Sequence, residues 1–420
     1  MTAFTATTTL QPRRLTLPVC RLKDGSLWLA VFIGGFVMFE PAPYEVFLAL
    51  AIPLFLVGGL QIRGAFGPLA VCMLVYAAGG ALSLTQIPSS RLADGAIYMA
   101  VSLFLGLSSI WYAALLAEDW RRIRVIESAY IAIAVLVSGV AVLAYFRLVP
   151  GADLFLRYGR AQGTFQDPNV FGPFLILPAL LIARRVMTGH FRDNKLGLIF
   201  FLVLALGILL SFSRAAWGML AFGLPLVAAL VSATARTNRA RLRLLAIAVL
   251  GIFGLVVLVA LALALPGVGD LLAERAKLVQ DYDGATGEKL GRFARHAVGF
   301  LMATERPLGI GPFVFPKLFI EETHNTYLKS VLEYGWLGLS AYLVLTAMTL
   351  FKGWSLAIRP RPWQGFAQCV MVCFTLHVLL NWIIDTDHWR HMYLMFGLAW
   401  GLIAAERLHG SAARTRLAAS

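Results

Sequence analysis

Apolar residues run for about 20 positions at a time along this chain, which is long enough for a helix to cross a bilayer. These runs recur almost from end to end of the 420 residues. A transmembrane barrel would instead alternate apolar and polar positions in segments of about 10. The pattern predicts twelve spanning helices: Leu27–Phe39, Val46–Leu60, Ala65–Leu84, Ala96–Leu116, Ile126–Phe146, Val170–Met187, Leu196–Phe212, Ala215–Val231, Leu244–Leu265, Val331–Phe351, Phe366–Ile384 and Met392–Ala405. Most polar breaks between them are turn-length, and two are longer, Arg147–Asn169 and Pro266–Lys329. Within the second, Glu288–Ala303 reads as an amphipathic helix. Phe293, Ala297, Phe300 and Leu301 fall on one side, Arg292, Arg295 and His296 on the other. Glu305-Arg-Pro-Leu-Gly309-Ile-Gly311-Pro312 then reads as a turn back toward the membrane. It is not a dinucleotide fingerprint, since no strand precedes it and no third glycine follows.

The expected architecture is an all-α polytopic membrane protein. It divides into an amino-terminal segment 1–26, helices one to nine over 27–265, a partly helical loop 266–329, helices ten to twelve over 330–406, and a tail 407–420. Composition agrees, with 59% hydrophobic and 14% charged residues, where soluble domains carry about 25% charge. The net charge of +14 first suggests a polyanion partner. Its distribution argues otherwise. With both termini cytoplasmic, 22 of the 36 basic residues fall in inside segments, from Arg13 and Arg14 to Arg414 and Arg416. The short outside loops hold only Arg91, Arg147, Arg157, Arg160, Arg214 and Arg390. The positive-inside rule accounts for that asymmetry without nucleic acid. Met1–Arg21 is too polar for a cleavable signal. Cys20 lies inside and Cys72, Cys369 and Cys373 lie within spans, so no disulfide is expected.

The external polar residues carry the candidate chemistry. Ser211-Phe-Ser213-Arg214 leaves no room for a loop between spans seven and eight, so Arg214 stands at the membrane boundary by construction. Arg160 and Arg214 read either as snorkelling anchors or as paired guanidiniums gripping an anion, for which their planar fork suits phosphate. Asp167 and Asn169 flank Pro168 just before span six, as a helix cap, a ligand contact, or both. His324 opens the span that follows the long loop, as a simple helix cap or as a functional group beside Glu321 and Glu322, which would favour its protonated form or orient its ring. Glu333, one turn after Lys329, is placed to neutralise a buried charge. Asp385-Thr-Asp387-His388-Trp-Arg390-His391 has metal-ligand residues, but in a short external turn it reads as solvated polarity; no metal is expected. Cys369, Cys373, His377 and Asn381 read as polar packing between helices.

Nothing along the chain cradles a nucleotide, while two arginines and a histidine converge on one membrane boundary. A lipid-linked diphosphate donor fits: it arrives activated, needing cations for the departing pyrophosphate and one general base for an acceptor hydroxyl.

The order Gly163-Thr-Phe-Gln-Asp-Pro-Asn169, Ser213-Arg214, Arg292…Glu305-Arg-Pro-Leu-Gly309-Ile-Gly311 and His324-Asn325-Thr-Tyr-Leu…Glu333-Tyr-Gly335-Trp-Leu-Gly338 resembles the O-antigen ligase and polysaccharide polymerase superfamily of bacteria. The resemblance covers roughly residues 150 to 345. It implies a GT-C-like fold in the bacterial inner membrane, with its active site on the periplasmic side. The implied donor is an undecaprenyl-diphosphate-linked glycan and the acceptor another glycan or lipid A–core, without metal or cofactor. His324, Arg214 and Arg160 are implied as catalytic, and Arg157, Asp167, Asn169, Arg292, Asn325 and Tyr327 as substrate-binding. The chain departs from the pattern at Ala215, where the family usually has glycine. It also lacks the carboxy-terminal region of relatives that glycosylate proteins, so a protein acceptor is disfavoured. The rival expectations are a twelve-helix secondary transporter, whose halves would match, and a lipid-glycan-binding protein, which would have no need of His324.

Overall fold

The computed structural model describes residues 16–189, 194–235, 291–319 and 321–418, together with isolated positions between 237 and 260. Fourteen α-helices carry the described chain: α1 Thr16–Ile33, α2 Pro43–Val57, α3 Gly67–Ser83, α4 Leu92–Glu118, α5 Ile123–Tyr145, α6 Pro168–Phe174, α7 Ile176–Thr188, α8 Lys195–Leu210, α9 Arg214–Thr234, α10 Arg292–Glu305, α11 Phe315–Phe319, α12 Thr326–Ile358, α13 Gln364–Leu380 and α14 Arg390–Ala418. One two-stranded antiparallel ribbon, β1 Leu156–Arg157 with β2 Arg160–Ala161, is the sole sheet among the described residues. The fold is that of an all-α polytopic membrane protein.

Among the described residues, six segments are long and apolar enough to cross a membrane: Gly64–Gln86, Ser89–Glu118, Trp120–Tyr145, Pro168–Thr188, Arg214–Thr234 and Thr326–Ile358. Shorter apolar helices at Pro43–Val57, Lys195–Leu210 and Gln364–Leu380 lie among them. The expected ninth span, Leu244–Leu265, falls almost wholly outside the described residues. The first helix departs from the expected Leu27–Phe39: it starts at Thr16 and ends at Ile33, where Gly34-Gly35 follow. Glycine loses the most backbone freedom in a helix, and the apolar run alone did not reveal that stop.

Close helix pairs use small residues. Gly397 and Gly401 of α14 lie against Ser109 and Ala113 of α4; a Cβ on Gly397 would meet the Ser109 carbonyl at 2.7 Å. Gly79 of α3 and Gly338 of α12 meet the same way, where a Cβ on Gly79 would fall 2.8 Å from the Gly338 nitrogen. Such glycine contacts let membrane helices approach backbone to backbone.

Helix α12 has 33 residues, about 50 Å at 1.5 Å per residue and far more than one bilayer needs. It breaks at Gly335, whose φ of 66° and ψ of −178° are open essentially to glycine alone. The carbonyls and amides freed there are taken up by the 307–311 turn. Trp336 N donates to Pro307 O at 3.1 Å, and Ile310 N donates to Leu332 O at 2.7 Å. Ser83 Oγ donates to Glu333 O at 2.5 Å. The turn expected to return to the membrane therefore docks on a broken helix.

Candidate active site

The polar ends of α4, α6, α9, α12 and α14 gather at one end of the bundle. Chain alternation puts the starts of α4, α6 and α9 on one side. Contacts join them to the others: Tyr98 of α4 reaches Asp387, and the Phe174 ring of α6 lies 5.8 Å from His391 of α14. The candidate residues form two sets there.

The first set is built on the turn between α8 and α9. Asp167 caps α6, accepting from Asn169 N at 2.6 Å; capping is what the Asp-Pro-Asn spacing suits. Arg160, only 7% exposed, sends Nε to Ser211 O at 2.8 Å and Nη2 to Asn169 Oδ1 at 2.8 Å. It ties the start of α6 to the end of α8, so two of its donors serve the fold. Arg157 is half exposed and donates to Gln166 O at 2.5 Å, with Asp167 Oδ2 4.0 Å away. Phe212 adopts a left-handed φ of 47°, and Ser213 caps α9, accepting from Ala216 N at 3.4 Å. Arg214 thus occupies the first position of a 21-residue helix. Its positive charge joins the helix dipole's positive end instead of opposing it, and amides and guanidinium together favour an anion.

The second set is built where α12 begins. Asn325 caps that helix, its Oδ1 accepting from Tyr327 N and Leu328 N at 3.0 Å each. His324 stands just outside with a left-handed φ of 51°. That conformation is held by Asp385, from the loop between α13 and α14. Asp385 Oδ1 accepts from Asn325 N at 2.8 Å and from Thr323 Oγ1 at 3.0 Å, while Oδ2 accepts from His324 N at 3.1 Å. The same Oδ2 lies 3.8 Å from His324 Nδ1, and the imidazole is 35% exposed. The ring is anchored through its backbone and faces a carboxylate. Tyr327 OH donates to Val378 O at 2.8 Å, which makes it a tie to α13.

The two glutamates expected beside the histidine each have a distinct setting. Glu321 pairs with the buried Arg295 at 2.6 Å. Burial pushes the Glu322 carboxyl up, and one of its oxygens is buried without a hydrogen bond. Arg292 opens α10; its side chain lies outside the described residues.

The Asp385–His391 segment is also not solvated. Asp387 is 5% exposed and Thr386 fully buried. Asp387 pairs with Lys329 at 3.6 Å and with His388 Nδ1 at 2.8 Å, and neighbouring cations hold its carboxyl well below the usual range against desolvation. Tyr98 OH lies 2.7 Å from Asp387 Oδ2 and 2.8 Å from Glu333 Oε2. Tyr98 OH thus bridges the two carboxyl groups. Lys329 has Asp387 as its ion-pair partner, and Glu333 is also near enough to act on its charge, as expected. Ser102 Oγ continues the chain to His388 Nε2 at 3.0 Å and Tyr334 OH at 2.6 Å. No group of three or more His, Cys, Asp or Glu placed to hold a metal occurs among the described residues. His377 Nδ1 donates to Cys373 O at 2.9 Å within α13, while Asn381 Nδ2 donates to Tyr342 OH of α12 at 2.8 Å, in line with polar packing between helices.

Sequence reasoning missed Tyr98 and Ser102 and set Asp385 aside as solvated polarity. The only available signal for Asp385 was its place in a short acidic turn, and its partner lies 61 residues away.

Residues 199–344 match the family model described as O-antigen ligase. That stretch takes in Arg214, α10, the 307–311 turn, His324 and the Gly335 break, while Arg160 and Asp385 lie outside it. A search of curated proteins found no match to the chain.

Proposed function

We propose that this member of the O-antigen ligase and polysaccharide polymerase superfamily, so assigned by its residues 199–344, moves a glycan from an undecaprenyl-diphosphate carrier to an acceptor sugar hydroxyl at the periplasmic face of the bacterial inner membrane. The observation that carries the reading is the His324 loop. A histidine in left-handed backbone, clamped by a carboxylate from another helix pair, is a costly local conformation of the kind that functional sites retain.

In this mechanism the neutral His324 imidazole takes the proton of the acceptor hydroxyl. The acceptor oxygen bonds to the anomeric carbon, the bond from that carbon to the phosphate oxygen breaks, and its electron pair leaves with the diphosphate. Arg214 and the amino end of α9 stabilise the leaving charge. Arg160, with Asn169 and Asp167, holds the turn that presents Arg214, and Arg157 guards its outer edge. The carboxylate of Asp385 favours the imidazolium that forms. Arg292 and Asn325 would bind substrate in this scheme, which calls for no cofactor.

The test is glycan analysis of a deletion strain. Single repeats on lipid A–core mark a lost polymerase, and unattached long chains a lost ligase; an unchanged glycan profile sinks the reading. Separately, Arg214→Ala and His324→Ala are each expected to cut transfer by roughly 10²–10⁴-fold while the protein still inserts. Unaltered glycan from both variants would remove these residues from the site.

A further inference from the structure

Helix α10 is amphipathic in the opposite sense to a helix that packs on a core. Its charged side faces the protein: Arg295 is buried against Glu321 at 2.6 Å, and His296 Nε2 lies 2.7 Å from Thr323 O. Its small residues Gly299 and Ala303 sit against Leu328 of α12 and the Phe315 cluster. The apolar row points away. Phe300 is 54% and Leu301 61% exposed, with Phe293 and Ala297 exposed on the same arc.

That row is continuous with an exposed apolar surface beside the spanning part of α12. Trp336 bonds through Nε1 to Ala303 O at 2.9 Å, joining the end of α10 to the first turn of the spanning part of α12. Trp336 and Leu337 are themselves exposed, as is Leu308 in the turn that follows α10. An indole at such a height is a common marker of the membrane interface. Glu305 and Arg306, both exposed, close the helix at the level where headgroups would meet them.

We propose that α10 is an interfacial helix, its Phe300–Leu301 row bedded in the acyl chains of the adjacent leaflet. Helices of this type sink roughly 5–10 Å into the boundary between headgroups and chains. The inward polar contacts then acquire a purpose. Arg295–Glu321 and His296–Thr323 connect a membrane-held helix to the residues immediately before His324. The bilayer surface thereby sets the height of the His324 loop, which a lipid-linked substrate requires. This last consequence rests on the transferase reading; the membrane docking does not.

The test uses the full-length protein with Cys20→Ser, reconstituted in phosphatidylethanolamine–phosphatidylglycerol vesicles without substrate. An environment-sensitive fluorophore is placed at Phe300→Cys or, in a second variant, Leu301→Cys. Val344→Cys on the lipid-exposed flank of α12 and Asp153→Cys in an exposed loop calibrate the extremes. The expected result is severalfold stronger quenching by shallow doxyl-labelled lipid than at Asp153, with weak quenching by aqueous iodide. Iodide quenching equal to that at Asp153 would overturn the proposal. So would protection from both quenchers, which would mean that protein covers the row instead.

Discussion

At the scale of single residues, His324 and Asp385 show how a site is fixed by groups far apart in sequence. The carboxylate accepts from three donors on 323–325, so it shapes the loop before it affects the ring. Asp385→Asn keeps the size but loses the charge. It is expected to lower turnover about tenfold or more, and to move the acid limb of the pH–rate profile to lower pH. The sign follows because the carboxylate favours imidazolium; without it the base stays neutral further into acid. A purely structural defect would lower the rate without moving that limb. Glu322 behaves oppositely to a paired carboxylate. Its folded pKa is raised, so the folded state binds more protons than the unfolded one between the two values, and stability falls as pH rises through that window. Glu322→Gln should therefore flatten the dependence of melting temperature on pH from the unfolded glutamate value upward. An unaltered slope would count against the burial of that carboxyl.

Among elements, the break in α12 is the most consequential. The Glu305–Gly311 and Glu333–Gly338 motifs are two halves of one joint: the turn fills the hydrogen bonds that Gly335 leaves open. A Cβ on Gly335 would lie 2.9 Å from Pro307 O, in a conformation that only glycine adopts comfortably. Gly335→Ala should cost roughly 1–3 kcal/mol, read as a lower unfolding midpoint in detergent, with the α10 segment more open to protease. Each motif was visible along the chain, but their mutual dependence was not. Sequence spacing carries information about what lies three or four residues away on a helix, whereas here the partners are 25 or so positions apart on a separate turn.

For the whole molecule, the main expense is charge inside an apolar bundle. Lys329 and Asp387 offset one another, with Tyr98, His388 and Glu333 completing the hydrogen bonds. Removing one member strands the other. Asp387→Ala should destabilise the protein by ~3–5 kcal/mol, whereas Lys329→Met with Asp387→Leu should restore much of that loss. Chemical unfolding of the purified variants in detergent decides it; equal losses in the single and double variants would refute the pairing. The network connects α4, α12 and the loop between α13 and α14, so it also holds the platform that carries Asp385.

The sequence by itself determined that this is a helical membrane protein. Runs of apolar residues answer to bilayer thickness, which acts locally along a chain. It also singled out His324, Arg160 and Arg214 as candidates, because a charged or titratable group at a membrane boundary is conspicuous without any fold. Tertiary structure alone decided which partner each group meets. Asp385 faces His324, Asp387 neutralises Lys329, Arg160 secures a turn, and α10 turns its apolar side outward. Hydrogen bonds and ion pairs depend on distances of a few ångströms between separate helices, and no periodicity along one chain encodes them.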